Sequence, residues 1–449
     1  MSRAAITLVR TGIILLWLYP LTPGRERKQT KWPVISDKPF IVVWNAPTAN
    51  CKSVYGIDLG LDVFDIVANQ NATFIGQNIT IFYYDNLGYY PYYTAAGASV
   101  NGGVPQNGSL KAHLAKAQAD MEKEIPLTDY SGLSVIDWEA WRPSWIRNWA
   151  KQAIYRQKSE ELVREEHPRW PESQVTRQAQ VEFEQEAQAF MGQTLKLAKG
   201  LRPSGLWGYY GFPCCYNSID GMASENYTGK CPDVEKERND RLGWLWRESV
   251  ALYPSIYLNE QLRSSQRALK YVHHRVGEAL RLAEVRENVS LPVLPYARIV
   301  YVSTMDILTQ IDLVHTIGES AAMGAAGVVL WGNGDYARSQ ESCEVVKAYI
   351  SGVLGHYIVN VTSAAALCAR ALCSSHGRCV RKDEGARIYL HLNPETFTVR
   401  RNLEPGGPHF LLWGNLAEED LKRMQDSFQC QCYWGWKGTH CQECHSIEN

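Results

Sequence analysis

Residues 133–141 read LSVIDWEAW, an apolar run that leads into Asp137, Trp138 and Glu139. A short apolar run of this kind predicts a buried strand. Side chains two apart on a strand leave the same face, so both carboxylates point the same way. Six other runs repeat the form on either side: PFIVVWNA (39–46), ITIFYYD (79–85), LWGYYGFP (206–213), PSIYL (254–258), VLPYARIVY (293–301) and GVVLWGN (327–333). Helical pattern fills several gaps, over 109–124, 174–200, 261–285 and 309–325, and over 149–162 until His167-Pro168 and Trp170-Pro171 interrupt it. Strands alternating with helices imply an α/β protein with a parallel sheet. Six or seven such units in roughly 300 residues imply a closed β/α barrel, with a doubly wound open sheet as the rival. The strand ends carry Asn45, Tyr83, Asp85, Asp137, Glu139, Tyr210, Tyr257 and Trp331, gathered where a barrel has its mouth.

At 449 residues the chain has room for one large domain plus a small one, or for two of medium size. Its 46 basic and 47 acidic residues nearly cancel, which removes any broad field for nucleic acid or a membrane surface. A hydrophobic content of 45 % is ordinary for a globular protein and argues against disordered or fibrous architecture. The 15 Trp and 24 Tyr supply core, but flat aromatic faces also stack on sugar rings and bases.

Arg3 and Arg10 precede the apolar run TGIILLWLYPLT (11–22), which reads as a secretory signal, with a signal anchor as the alternative. The run is short for a bilayer span, no later stretch reads as transmembrane, and the tail after Cys444 is polar. Six N-x-Ser/Thr sequons, at Asn71, Asn78, Asn107, Asn226, Asn288 and Asn360, agree with passage through the secretory pathway. The expected destination is the extracellular space or the lysosome.

Of 12 cysteines, seven lie between Cys368 and Cys444. Their order there, C-x4-C-x5-C, a long insertion, then C-x-C-x8-C, resembles an epidermal-growth-factor-like module, the kind of small unit that needs covalent staples. Six cysteines allow fifteen connectivities. The resemblance implies Cys368–Cys379, Cys373–Cys430 and Cys432–Cys441. A zinc knuckle competes, but few histidines are interleaved at ligand spacing. In the larger part, a Cys51–Cys343 bridge would tie the two ends of a barrel and Cys215–Cys231 would staple a local loop. Cys214 and Cys444 are left over.

Two like charges as close as Asp137 and Glu139 cannot both ionise cheaply, so one pKa rises. A proton held near neutral pH is what a general acid needs to protonate a leaving alcohol. Trp138 and Trp141 would desolvate the pair further. The plainer reading pairs these carboxylates with Arg142 or Arg147 on the surface. No second carboxylate is evident opposite Glu139, which points to a substrate that supplies its own nucleophile, as an N-acetyl group can. Three weaker signals have structural readings. The segment GNGDYA (332–337) resembles a dinucleotide fingerprint but lacks a following βαβ unit. His273-His274 reads as a solvated helix face, and the charged run 235–241 as a solvated helix start. No metal site or organic cofactor is expected.

The strings FIVVWNAP, NITIFYYDNLGYYPYY, NGGVPQNGSL, GLSVIDWEAWRPSWIRNW, LWGYYGFP, NYTGKCPDVE, ALYPSIYL and GESAAMGAAGVVLWG resemble the animal hyaluronidases, glycoside hydrolase family 56. The match runs from about residue 39 to residue 441 and so covers nearly all of the chain. The resemblance implies a distorted β/α barrel (31–362) after a signal peptide and N-terminal segment (1–30), and a growth-factor-like module (363–449). It implies hydrolysis of β-1,4 N-acetylglucosaminide bonds in hyaluronan, and of chondroitin more slowly, with retention. By motif, Glu139 would be the acid/base, and Asp137 would position the acetamido group that attacks the anomeric carbon. Tyr83, Tyr210 and Tyr257 would line the subsite, Tyr210 bonding the acetamido group, with Asn45 in the binding set. Trp331 would form an apolar wall, and Arg142 and Arg275 would supply positive charge. A chondroitin-preferring hydrolase and a non-catalytic hyaluronan-binding protein are the alternatives. Two departures stand out: Cys214 where relatives have Asp, and Val302 where a close family member is acidic, which would shift the pH profile.

Overall fold

The computed structural model describes residues 27–67, 78–218, 221–222, 224–404 and 406–444, so the signal segment and Asn71 lie outside the described residues. Seven strands run parallel: β1 (Ile41–Asn45), β2 (Ile66–Val67), β3 (Ile79–Tyr83), β4 (Leu133–Asp137), β5 (Leu206–Tyr209), β6 (Tyr296–Ala297) and β7 (Gly327–Trp331). They form two sheets, ordered β2-β1-β7-β6 and β3-β4-β5. Single bridges at 252–255 link the two: Tyr253 pairs with Tyr210, Leu252 with Val293, and Ser255 with Tyr296. One parallel series results, and its described pairings end at β2 and at β3.

The expected strand 254–258 is therefore absent, and the expected strand 293–301 shrinks to two residues. Proline is the cause. Pro254, Pro292 and Pro295 have no N–H to give a ladder, and each offers only its carbonyl, to Tyr296, Leu252 and Val329 respectively.

β1 is buried at every position, while β3, β4 and β7 are buried at all but the last. Both faces are covered, as parallel strands require, and only the C-terminal residues Tyr83, Asp137 and Trp331 open outward. Alternation divides the core. Val42, Trp44, Val328 and Leu330 join one cluster, while Ile41, Val43 and Val329 join the other. Helices follow the strands where expected, at Leu110–Glu124, Ala153–Glu166, Glu172–Leu201 and Gln266–Ala283. Ser109 and Ser265 cap two of them by accepting the N–H of Ala112 and Ala268. The stretch 309–325 is less regular, with a π turn over Val314–Gly318 between two short α segments.

The helix Gln340–Cys373 is long and apolar enough by composition to cross a membrane. Core packing accounts for that composition, since Val346, Ile358, Val361 and Ala364 are fully enclosed. Its cysteines are also bridged, in Cys51–Cys343, Cys368–Cys379 and Cys373–Cys430. Cys215–Cys231 and Cys432–Cys441 complete the set, and Cys214 and Cys444 are free. Beyond the helix, Gly377–Arg381 pairs antiparallel with Phe428–Cys432. Thr30 stitches the chain start to this part, donating its N–H to Cys432 and accepting from Trp434.

Candidate active site

Parallel register assembles the site. Tyr83 stands opposite Asp137, and Asn45 opposite Trp331; of these four strand ends, Asp137 and Trp331 line the cavity. The Tyr210 N–H continues the ladder onto Ile136 O at 2.9 Å. A cavity of about 210 Å³ lies between these ends, lined by Ile81, Val135, Asp137, Glu139, Tyr210, Tyr257, Tyr296 and Trp331.

The two carboxylates share this cavity but not an environment. Burial, reinforced by the charge of Glu139 and opposed by Arg142, pushes the Asp137 carboxyl up to about 7. One of its oxygens, Oδ1, is buried without a hydrogen-bond partner. β4 stops at Asp137, and Glu139 turns to the rim with 55 % of its side chain exposed. There its Oε1 faces Arg142 Nη2 at 3.4 Å, and its carbonyl accepts from Gln152 Nε2 at 2.8 Å. The group with a raised carboxyl pKa is thus Asp137.

The expectation that Trp138 and Trp141 desolvate the pair is wrong. Alternation sends Trp138 to the opposite face of β4, where it stacks on Tyr90 with ring centroids 4.6 Å apart and meets Tyr209 and His113. Trp141 packs edge-on against Phe183 of the helix Glu172–Leu201. Desolvation comes instead from Ile81, Val135 and the tyrosines of the wall.

Those tyrosines interlock. Tyr210 donates to Ser255 Oγ at 3.4 Å and lies 6.1 Å from the Tyr257 ring, which in turn stacks on Trp331 at 6.2 Å. Trp331 Nε1 donates to the Tyr83 hydroxyl at 3.4 Å. Burial raises the Tyr83 and Tyr210 hydroxyls to about 12, so both stay protonated donors at any working pH. Asn45 is fully buried, and neither atom of its amide has a partner among the described residues. Sequence reading missed Tyr296 and Ser255. Tyr296 sits in the period-two pattern of 293–301, which was the available signal.

Arg275, on the helix Gln266–Ala283, donates to Asn217 Oδ1 and to Ser255 O, each at 2.8 Å, and does not line the cavity. Arg147 lies against Glu235 and over the Tyr216 ring. Two readings of solvated charge are corrected here. Glu235 is buried between Arg147 and Arg238. His273 bonds through Nδ1 to the enclosed Glu319 at 2.7 Å, and burial lowers its neighbour His274 to about 4. The glycines of 332–337 form a turn into a short 3-10 helix capped by Asn333. No cluster of three metal-ligating side chains occurs among the described residues. Asn78, Asn107, Asn226 and Asn288 are exposed, whereas Asn360 is half-buried and accepts from Leu392 N. Cys214 is half-buried, its thiol 2.9 Å from Gly211 O.

Residues 29–445 match the hyaluronidase family profile, glycoside hydrolase family 56. Hyaluronidase-1 of Mus musculus is 50 % identical over 408 residues, 91 % of this chain and 87 % of that one. A hyaluronidase of Echis ocellatus is 48 % identical over 427 residues, 95 % of each chain. The crystal structure of bee venom hyaluronidase in complex with a hyaluronic acid tetramer superimposes with a TM-score of 0.64 at 35 % identity, over 71 % of this chain and 98 % of that one. With a carboxylate pair and a tyrosine wall gathered at parallel strand ends, and with relatives this similar along nearly its whole length, the chain belongs to the hyaluronidases and is a glycoside hydrolase.

Proposed function

We propose that this enzyme is an endo-β-N-acetylglucosaminidase that cleaves the β-1,4 bonds of hyaluronan with retention, and those of chondroitin more slowly. The observation that carries the reading is the Asp137–Glu139 pair in a cavity walled by Tyr210, Tyr257 and Trp331. Exposed at the rim, Glu139 gives its proton to the glycosidic oxygen as the bond to the anomeric carbon breaks. The substrate's acetamido oxygen bonds to that carbon from the opposite face, forming a cyclic cation. Asp137 holds the acetamido N–H, and the Tyr210 hydroxyl, kept protonated by burial, donates to the same group. Water then adds at the anomeric carbon, its proton returns to Glu139, and the acetamido group re-forms with configuration retained. Trp331 and Tyr257 offer a flat face to the sugar ring, and Tyr83 and Asn45 bind beside it. Arg142 holds Glu139, and Arg275 holds the Ser255 carbonyl behind Tyr210.

The same reading has the parallel series close as a distorted barrel over 31–362, with 363–449 as the growth-factor-like module. Five disulfides favour an oxidising compartment, and a cleaved leader with N-glycans would take the chain to the extracellular space or the lysosome. The test is product sizing by mass spectrometry, with wild type and Glu139→Gln on hyaluronan and on chondroitin sulfate. Saturated even-numbered oligosaccharides from hyaluronan are expected, with a rate about 10²–10⁴-fold lower for the variant. Faster cleavage of chondroitin would reassign the substrate. Binding with no shortening of either polymer would leave a hyaluronan-binding protein instead.

A further inference from the structure

A chain of alternating N-acetylglucosamine and uronate brings a carboxylate to a cavity that already holds two. Arg142 reaches Glu139 through Nη2, although its Nη1 is buried without a partner, and Arg275 bonds Asn217 and Ser255. Arg298 differs from Arg142 in having no ion pair among the described residues. Tyr296 lines the cavity and Ala297 packs into the outer core; Arg298 follows the end of β6, outside the cavity lining but against two residues of its wall. Its guanidinium carbon lies 6.0 Å from the centre of the Tyr257 ring and 5.4 Å from that of Trp331, the two aromatics of the sugar-facing wall. Its Nε is buried with no hydrogen-bond partner among the described residues. Its guanidinium hydrogen-bonds the Tyr336 hydroxyl, a neutral partner that burial keeps protonated, so its charge is not balanced there. A guanidinium beside aromatic rings can still use its terminal N–H donors, which match a carboxylate.

We propose that Arg298 receives the carboxylate of the uronate next to the sugar held in the cavity, and so sets the preference for an anionic polymer. This rests on the hyaluronan reading above. Arg298 is a specificity residue, not a catalytic one, because the bond that breaks lies at Glu139.

The experiment measures kcat and KM on hyaluronan for wild type, Arg298→Met and Arg298→Lys. It also measures affinity in the Glu139→Gln background for hyaluronan and for hyaluronan whose carboxylates are reduced to alcohols. Arg298→Met should raise KM about 10- to 100-fold with kcat within about threefold, the loss expected for one charge-assisted contact. Arg298→Lys should recover part of it. Affinity for the reduced polymer should be the same with Arg298 and with Met at that position. An unchanged KM, or an equal loss on both polymers, overturns the proposal, the second outcome marking Arg298 as packing for Trp331. Should wild type cleave neither polymer, the activity reading fails by itself. Binding then decides Arg298: the Met variant must still lose affinity for hyaluronan alone, or this proposal falls too.

Discussion

Asp137 has one carboxylate oxygen sealed from hydrogen bonds, and the consequence can be titrated. Its carboxyl is raised from the ordinary value to about 7, so between those limits the native state binds a proton that the unfolded chain does not. By linkage, stability falls as pH rises through that window and is recovered on acidification. Asp137→Asn removes the titrating group. Its melting temperature should match that of wild type near pH 4 and exceed it increasingly toward pH 8, in paired thermal melts. Equal slopes with pH would mean that the carboxylate is charged and solvated in the folded state. Glu139 lies past the end of β4 with over half its side chain in solvent, which suits a group that must exchange its proton every turnover.

Immediately past the end of β4, Trp138 turns away from the carboxylates. Its ring lies between Tyr90, Tyr209 and His113 on the helix-facing side, 2 % exposed. Trp138→Ala should cost about 3–5 kcal/mol of stability, the usual loss for truncating a buried aromatic. A urea titration gives that value, and kcat of the fraction that stays folded should remain near wild type. A collapse of kcat with little change in the urea midpoint would place Trp138 in the chemistry instead. The pattern of LSVIDWEAW makes the strand and its paired carboxylates legible. It says nothing of which face is the cavity, because Val135 and Ile136, on opposite faces, are equally able to fill a core. Around 252–255 the opposite happened. PSIYL has the composition of a strand, but Pro254 withholds a donor, and only single bridges join the two sheets.

Across the whole molecule, a buried ion cluster joins the strand series to the C-terminal part. Arg381, on the strand Gly377–Arg381, makes two hydrogen bonds to Glu319, at 2.7 and 2.9 Å, and His273 adds a third contact at 2.7 Å. Burial alone would raise the Glu319 carboxyl, but its bonds to His273 and Arg381 outweigh that and lower it. Arg381→Met would leave a carboxylate enclosed with one partner, at a cost of about 3–5 kcal/mol. A guanidinium midpoint lowered accordingly, with early proteolysis of the C-terminal part, is the expected result. A midpoint within experimental error of wild type would show that the cluster contributes nothing net. This contact was invisible in the sequence, where His273-His274 looks like a solvated face and Glu319 and Arg381 stand 62 residues apart.

Local pattern was enough to read the alternation of strands and helices, the family, and the residues at the strand ends. Periodicity and short motifs are local, and they survive without any knowledge of packing. Tertiary structure decided how the members of the site differ. It put Asp137 in the dry part of the cavity and Glu139 in the wet part, set Arg275 behind Ser255, and brought Arg298 to the wall formed by Tyr257 and Trp331. Desolvation and partner choice depend on neighbours distant in sequence, and those neighbours exist only once the parallel register has been made.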